Sequence, residues 1–495
     1  MELLTMFLCL SIFLLLLLTW KIYKKRIQLP PGPFPLPLLG NVLQGTTVLY
    51  DSYRELSEQY GPVFTVWLGS TPMVVLCGYE VLKDALINHS QEFGARGSSP
   101  VPERLTNGYG VISTNGLRWQ QLRRFSATTF RNIGIGKRSM EERMQDEVRH
   151  LIQAVQDTGG EAFNPLNVLG RAVNNIINLM VFGKRWDYKN KTMLRLFNIV
   201  NDILLFLRSP LGVTYAALNQ IMRHLPGPHQ KVFRESEIAK SFIREQINSH
   251  RNTLDSEYPR DYIDCFLIKA DQEKDLHSSE FIQENLVNTI FDFFVGGTET
   301  TTNTIQFSLL VIITHPCVQA RVQKEIDKVV GPDRLPGIAD RVHMPYTNAV
   351  IHEIQRFLDL VPLSLPHMAT QDTVFRGFKI PKGTTVIPLI GSALWDPAQW
   401  ETPEEFNPEH FLNQNGEFYM RPAFMPFSAG KRVCLGEGLA RMEIFLFFTA
   451  LLQKFTIRAA NQTDTFDLRT LRRAFRKKGL FYEMRAIPRT YTAEN

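Results

Sequence analysis

One cysteine stands where a thiolate could do chemistry. Cys434 lies in FSAGKRVCLG, Phe427 to Gly436, with Gly430 and Gly436 on either side, Lys431 and Arg432 just before it, and an apolar helical pattern after it. Free N–H groups at a helix start, and nearby cations, favour thiolate over thiol. The glycines would let a flat, bulky group approach the backbone. Such a thiolate could be a nucleophile or a metal ligand. A nucleophile needs a base, and the sequence positions no histidine to act as one. An axial thiolate on haem iron needs only a shaped, donor-rich turn.

Three other groupings carry potential chemistry. Glu353 and Arg356 share a helix whose other face is apolar, so their charges should be partly buried and need further hydrogen bonds. Gly296-Gly297-Thr298-Glu299-Thr300 falls inside a long apolar helical pattern, where each glycine costs about 1 kcal/mol relative to alanine. The pair could serve helix packing, or a local opening beside which Thr300 and Glu299 offer a hydroxyl and a carboxyl for proton delivery. Trp119 and Arg123 are four residues apart on one helix face.

Together these segments resemble the cytochrome P-450 haem-thiolate monooxygenases. Phe427-x-x-Gly430-x-Arg432-x-Cys434-x-Gly436 resembles that family's haem-binding signature, and Glu353-Ile354-Gln355-Arg356 its ExxR motif. Pro408-Glu409-His410-Phe411 resembles its PERF segment with His in place of Arg, and Gly296 to Thr301 its oxygen-activation motif. The proline strap, RRFSATTFRN and MPFSAGKR resemble the microsomal family 2 type. The resemblance implies haem b with Cys434 as axial ligand, and Arg96, Trp119, Arg123, His367 and Arg432 around the propionates. It implies that His410 joins Glu353 and Arg356 by a hydrogen bond rather than a strong ion pair. Thr300 and Glu299 become the proton-delivery pair, with Gly296 slightly enlarging the space beside the haem. The pocket would be lined by Ile112, Leu204, Leu207, Phe294, Gly296, Val361 and Leu365. A basic hairpin tip at Arg476 and Lys477 would either face that pocket and pair with a substrate carboxylate, or turn to water and lipid head groups.

The elements that must position these residues are legible as patterns. Val63 to Cys77 reads as two β-runs around a turn, and residues 373–390 as a hairpin turning at Pro381-Lys382-Gly383. Residues 281–314, 344–360 and 439–455 read as helices, the first interrupted at its glycine pair. The fold class is mainly α, α+β: one large helix-rich domain with small sheets over residues 42–495. Leu3 to Trp20 has no charge and spans about 27 Å as a helix, close to a ~30 Å hydrocarbon core. Lys21, Lys24, Lys25 and Arg26 follow it, which predicts a single-pass anchor over residues 1–26 with the body cytosolic on the endoplasmic reticulum. Residues 27–41 form a proline-rich strap that cannot be helical throughout.

The five cysteines are widely spaced and suggest neither a disulfide framework nor a zinc site; the four besides Cys434 read as small buried hydrophobes. The net charge of +6 comes with no basic tract, which argues against a nucleic-acid partner. The chain has no flavin or iron–sulfur motif, so electrons must arrive from outside. Resemblance implies NADPH–cytochrome reductase, with cytochrome b5 as a second donor, docking at Arg124, Arg131, Lys137, Arg138, Lys431 and Arg441. The expected activity is insertion of one atom of O2 into a small lipophilic substrate. A peroxide isomerase or dehydratase is the alternative within enzymes, and a haem binder or sensor without turnover the alternative outside them.

Overall fold

The computed structural model describes residues 2–36, 39–41, 49–134, 138–461, 467–479 and 481–490. Its centre is one long helix, Gln283–Thr314, buried over most of its length. We number the helices that matter for the site α1 (Glu2–Gln28), α2 (Gly116–Ile133), α3 (Pro165–Phe182), α4 (Lys191–Arg208), α5 (Gln283–Thr314), α6 (Pro345–Leu358), α7 (Glu437–Lys454) and α8 (Leu468–Lys478). Helix α5 packs against α3, α4, α6 and α7.

The expected interruption of α5 at its glycines does not occur; the helix is continuous through Gly296 and Gly297. Threonine hydroxyls are satisfied by carbonyls one turn back there, without breaking the helix. Thr300 donates to the Gly296 carbonyl at 2.7 Å, Thr302 to Thr298 at 2.6 Å and Thr304 to Thr300 at 2.8 Å. Packing from several sides outweighs the propensity cost of two glycines.

A five-stranded sheet runs β1 (Val63–Leu68), β2 (Thr71–Leu76), β7 (Thr385–Pro388), β4 (His367–Met368), β3 (Ala95–Arg96). The β1–β2 hairpin is as expected. The β3–β4 pairing sets Arg96 opposite His367, bringing together residues 271 positions apart in sequence. The hairpin of β5 (Thr373–Phe375) and β6 (Phe378–Ile380) turns at Arg376-Gly377, not at Pro381-Lys382-Gly383. Both turn residues have positive φ, 48° and 85°, and the Pro-Lys-Gly turn instead feeds β7.

The segment expected to be a basic hairpin tip is helix α8. Asp467 starts it by accepting from Arg469 N and Thr470 N, each at 3.2 Å. The side chains of Arg476 and Lys477 lie outside the described residues. So does Lys137.

The proline strap adds to the edge of β1. Thr65 N donates to the Pro31 carbonyl and Thr65 Oγ1 to that of Pro30, both at 2.8 Å. A Cβ on Gly32 would meet Thr65 O at 1.9 Å, so this close approach requires glycine. Helix α1 exposes Met6, Phe7, Leu10, Phe13 and Trp20. Among the described residues, no single helix is long and apolar enough to cross a membrane. All five cysteines are free; of the four expected to be buried, Cys9 and Cys317 are exposed and Cys77 and Cys265 only half-buried.

Candidate active site

The Cys434 turn is held by its backbone. Cys434 N donates to Phe427 O at 2.9 Å and Val433 N to Gly430 O at 3.2 Å. Gly430 has φ 71°, and a Cβ there would meet Leu86 O at 1.8 Å. No other residue fits. Gly436 caps α7 at an ordinary φ of −90°; its missing side chain leaves the side toward the sulfur clear, since a Cβ would stand 4.0 Å from Cys434 Sγ.

Cys434 is exposed at its sulfur although the turn lies deep in the protein. Burial pushes its thiol up, with the Glu437 carboxylate adding to the rise. N–H groups of Gly436 and Glu437, and the Arg123 charge, act the other way, as expected from the helix start, but are outweighed. The helix start and cations alone do not make the thiolate; a metal ion facing the sulfur would.

Four cationic or imidazole side chains converge beside this turn, and no carboxylate among the described residues hydrogen-bonds to them. Arg432 donates to Gly94 O (2.8 Å), Thr114 O (2.9 Å) and Asn115 Oδ1 (2.7 Å), and lies 3.7 Å from the Trp119 ring centroid. Arg96 donates to Ile112 O (3.2 Å) and Leu365 O (3.3 Å), and Arg123 to Val433 O (2.5 Å). Arg123 also stands 6.0 Å from Trp119. Burial, then repulsion from Arg123, pulls Arg96 down to about 10. Burial, then Arg96 and Arg123, pulls Arg432 down to about 9.

His367 Nδ1 lies 2.7 Å from the Phe93 carbonyl, which can only accept, so Nδ1 carries the proton. Burial, then the Arg96 charge, and Arg432 after them push the ring down to about 3. Its Nε2 and Arg432 Nη1 are buried without hydrogen-bond partners among the described residues. Buried orphans of this kind call for an explanation. Two carboxylates would satisfy them, relieve the repulsion and let His367 Nε2 donate as an imidazolium. These residues therefore fit the two propionates of haem, with Cys434 on the iron and Gly430 and Gly436 shaping the turn.

Asn115 was not legible as a site residue. Its Oδ1 accepts from both Arg96 N and Arg432 Nη2, at 2.7 Å each, so it locks two of the cations together. The only sequence signal was an Asn at a helix start, which ordinarily reads as a cap. Asp292 was also missed. It is buried, accepts from Val111 N (2.7 Å) and Ile112 N (2.9 Å), and is pushed up to about 7 by burial. It ties the Ile112 loop to α5.

The ExxR pair is fully buried. Arg356 makes two bonds to Glu353, both 2.7 Å, and donates to the carbonyls of Leu394, Pro403 and Glu405. Glu353 also accepts from Asn407 N at 2.8 Å, and its Oε2 lies 3.2 Å from His410 Nδ1. The expected hydrogen bond from His410 is present. The network pins residues 394–410, the stretch leading toward Cys434.

On the opposite wall, Gly296 is exposed and Thr300 half-buried on an otherwise buried helix. Gly296 adjoins Ile112, whose Cδ1 would lie 3.8 Å from a Cβ there. Ile112, Leu204 and Leu207 are half-buried, Val361 and Leu365 exposed. Phe294 is 4% exposed and packs on Phe182, so it belongs to the core more than to a wall. Gly297 faces the other way: a Cβ would stand 2.7 Å from Ile177 Cδ1. The glycine pair thus divides, one for packing and one for space. Glu299 accepts from Arg208 at 3.2 Å and is pushed up by burial.

Of the cations expected to dock a reductase, Arg124, Arg131, Arg138 and Lys431 are exposed. Arg441 is withdrawn. It pairs with Glu437 at 2.9 Å, donates to His352 Nε2 at 2.9 Å and lies 5.0 Å from the Phe427 ring.

Comparison with known proteins accords with this geometry. Residues 30–478 match the family described as Cytochrome P450. The chain is 48% identical to Cytochrome P450 2C8 of Homo sapiens over 474 residues, 96% of each chain. It is 48% identical to Cytochrome P450 2F2 of Mus musculus over 445 residues, 90% of this chain and 91% of that one. It is 44% identical to Cytochrome P450 2A6 of Homo sapiens over 490 residues, 99% of each.

Proposed function

We propose, given that the chain belongs to the cytochrome P450 family and is a monooxygenase within it, that it inserts one atom of O2 into a small lipophilic substrate (xenobiotic, fatty acid or steroid-like) and reduces the other to water. The observation that carries this reading is the set of buried donors around Cys434 that lacks an anion. Haem supplies the activation of oxygen when bound. The chain's own residues do the rest. Cys434 holds the iron, and Arg96, Arg123, His367 and Arg432 hold the propionates. Trp119 lies flat under Arg432 and keeps its guanidinium in place. Thr300 and Glu299 move protons into the space beside Gly296. Glu299 suits this role because burial raises its affinity for a proton above that of an ordinary carboxylate, and it adjoins Thr300 on the same helix. The acid–hydroxyl pair also favours oxygenase over peroxide isomerase.

NADPH serves as electron donor through a flavoprotein reductase, with cytochrome b5 as a second donor, on the face of Arg124, Arg131, Arg138 and Lys431. Residues 1–26 anchor the chain in the endoplasmic reticulum membrane and residues 27–41 set its attitude there, with residues 42–495 as the cytosolic catalytic domain. The apolar side chains that α1 exposes support this reading.

The test is the reduced carbon-monoxide complex, whose long-wavelength band marks thiolate ligation. Cys434→Ser should bind haem yet lose that band and all NADPH-driven product formation with reductase present. A variant that keeps the band would overturn the ligand assignment. A wild type that shows the band but never consumes NADPH with reductase would favour the sensor reading.

A further inference from the structure

Arg208, the last residue of α4, carries a polar group that the functions above leave unused. Its Nη2 donates to Glu299 Oε2 at 3.2 Å. Its Nη1 is buried and has no hydrogen-bond partner among the described residues. The guanidinium also lies 5.6 Å from the Phe475 ring of α8. A buried donor left unmade costs the desolvation of that group, and more when the group is charged. The guanidinium sits where an acceptor would be useful. Glu299 adjoins Thr300 and lies three residues from the exposed Gly296, and Leu204 lies one turn before Arg208 on the same helix face.

We propose that Arg208 anchors the head group of an anionic substrate, so that the enzyme prefers lipophilic acids to their neutral esters. The inference rests on the monooxygenase reading and adds a substrate class to it. Three observations favour an anion over a neutral acceptor. First, a guanidinium presents paired donors to a carboxylate and forms its strongest bonds with charged oxygen. Second, the acid in contact engages only Nη2, which leaves Nη1 for a further oxygen. Third, α8, which packs on α4 and touches Arg208 through Phe475, has Arg469, Arg472, Arg473, Arg476, Lys477 and Lys478 and no acid within its span. By sequence, α8 therefore brings cations and no carboxylate of its own to this side of α4. The anion preference expected from the basic segment at Arg476 and Lys477 thus passes to a neighbouring arginine, with α8 supplying background charge.

The experiment titrates the haem-loaded full-length protein with dodecanoic acid and with methyl dodecanoate, following the haem absorbance. The acid should bind roughly tenfold or more tightly than the ester, as one charge-assisted hydrogen bond allows. Arg208→Leu should bring acid to parity with ester while leaving ester binding unchanged. Arg208→Lys should restore part of the preference, and Glu299→Gln should tighten the acid further by freeing the guanidinium. Equal binding of acid and ester by the wild type, no response to the acid, or a preference surviving in Arg208→Leu would each overturn the proposal. The carbon-monoxide band, checked in every variant, separates the two readings. A wild type without it sinks the haem-thiolate assignment, whereas an intact band without acid preference sinks only the anchor at Arg208.

Discussion

Around Glu353 and Arg356 every charged atom has a protein partner; around Glu299 and Arg208 one buried guanidinium nitrogen has none. Both pairs join a carboxylate to an arginine inside the same helical body. The first is sealed by four backbone groups and an imidazole, so it fixes a long segment in one conformation. The second is open on one side and sits next to a glycine and a threonine that are exposed and half-buried on an otherwise buried helix. A satisfied network specifies structure, while an unsatisfied one leaves bonding capacity for something that arrives later.

The largest effect should come from breaking the sealed pair. Arg356→Ala would strand Glu353, which is fully buried, without its bidentate partner and release the carbonyls of Leu394, Pro403 and Glu405. Loss of one partner of a buried pair costs about 3–5 kcal/mol. That is a large share of the stability of any domain. The expected result is little or no haem-loaded protein on purification. Recovery of holoprotein with a denaturation midpoint near that of the wild type would erase the contrast between the two regions. Arg208→Leu should fold with haem bound and change ligand preference only.

A smaller effect separates the two glycines of α5. Gly297→Ala drives a methyl against Ile177, itself 2% exposed, so that side chain must repack. Overpacking of this kind costs about 1–3 kcal/mol, partly offset by alanine's ~1 kcal/mol better helix propensity. Gly296→Ala meets Ile112 only at ordinary contact distance. It should gain helix stability of up to ~1 kcal/mol while shrinking the space beside Thr300. Opposite signs in thermal denaturation, with altered substrate binding only for Gly296→Ala, are the expected pair of results. The same sign for both would mean that the glycines share one role.

The two regions differ equally in how far the sequence disclosed them. Cys434, Glu353 with Arg356, and Trp119 with Arg123 were readable because each function depends on spacing within one short segment. Asn115 and Arg208 were not, because each acts through partners that only the tertiary fold supplies, between β3 and the Cys434 turn in one case and between α4 and α5 in the other. The basic segment near residue 476 was misread as a hairpin although Asp467 offered a helix-start signal. Glycine propensity favours a break at Gly296-Gly297, but packing against neighbouring helices keeps α5 continuous. The motifs thus marked the sealed side of the site, and the substrate-facing side was written in single residues.

The smallest effect is a proton. His352, on α6 beside the sealed network, is buried among Phe411, Phe418 and Phe424, with ring centroids 5.6, 4.6 and 5.1 Å away. Its Nδ1 lies 2.7 Å from the Asn348 carbonyl and so must donate; its Nε2, 2.9 Å from Arg441 Nη1, must accept. Both positions are committed only if the ring is neutral. Burial, reinforced by the charges of Arg441 and Arg341, pushes it down from 6.5 to about 3. The unfolded chain therefore binds a proton at this histidine over a range where the folded chain does not. Its contribution to stability is complete above the unfolded value and is lost as the pH falls through it, until the folded value is reached. The slope should be at most about 1.4 kcal/mol per pH unit. His352→Phe keeps the aromatic packing and leaves Arg441 its bond to Glu437, so it should remove this one proton from the acid-side slope. Urea midpoints measured from neutral pH down to about 4, the lower part of the range over which such groups titrate, would show a shallower decline for the variant. Parallel declines would mean that the ring already carries its proton in the folded state, and that the sealed region tolerates a charge that its geometry forbids.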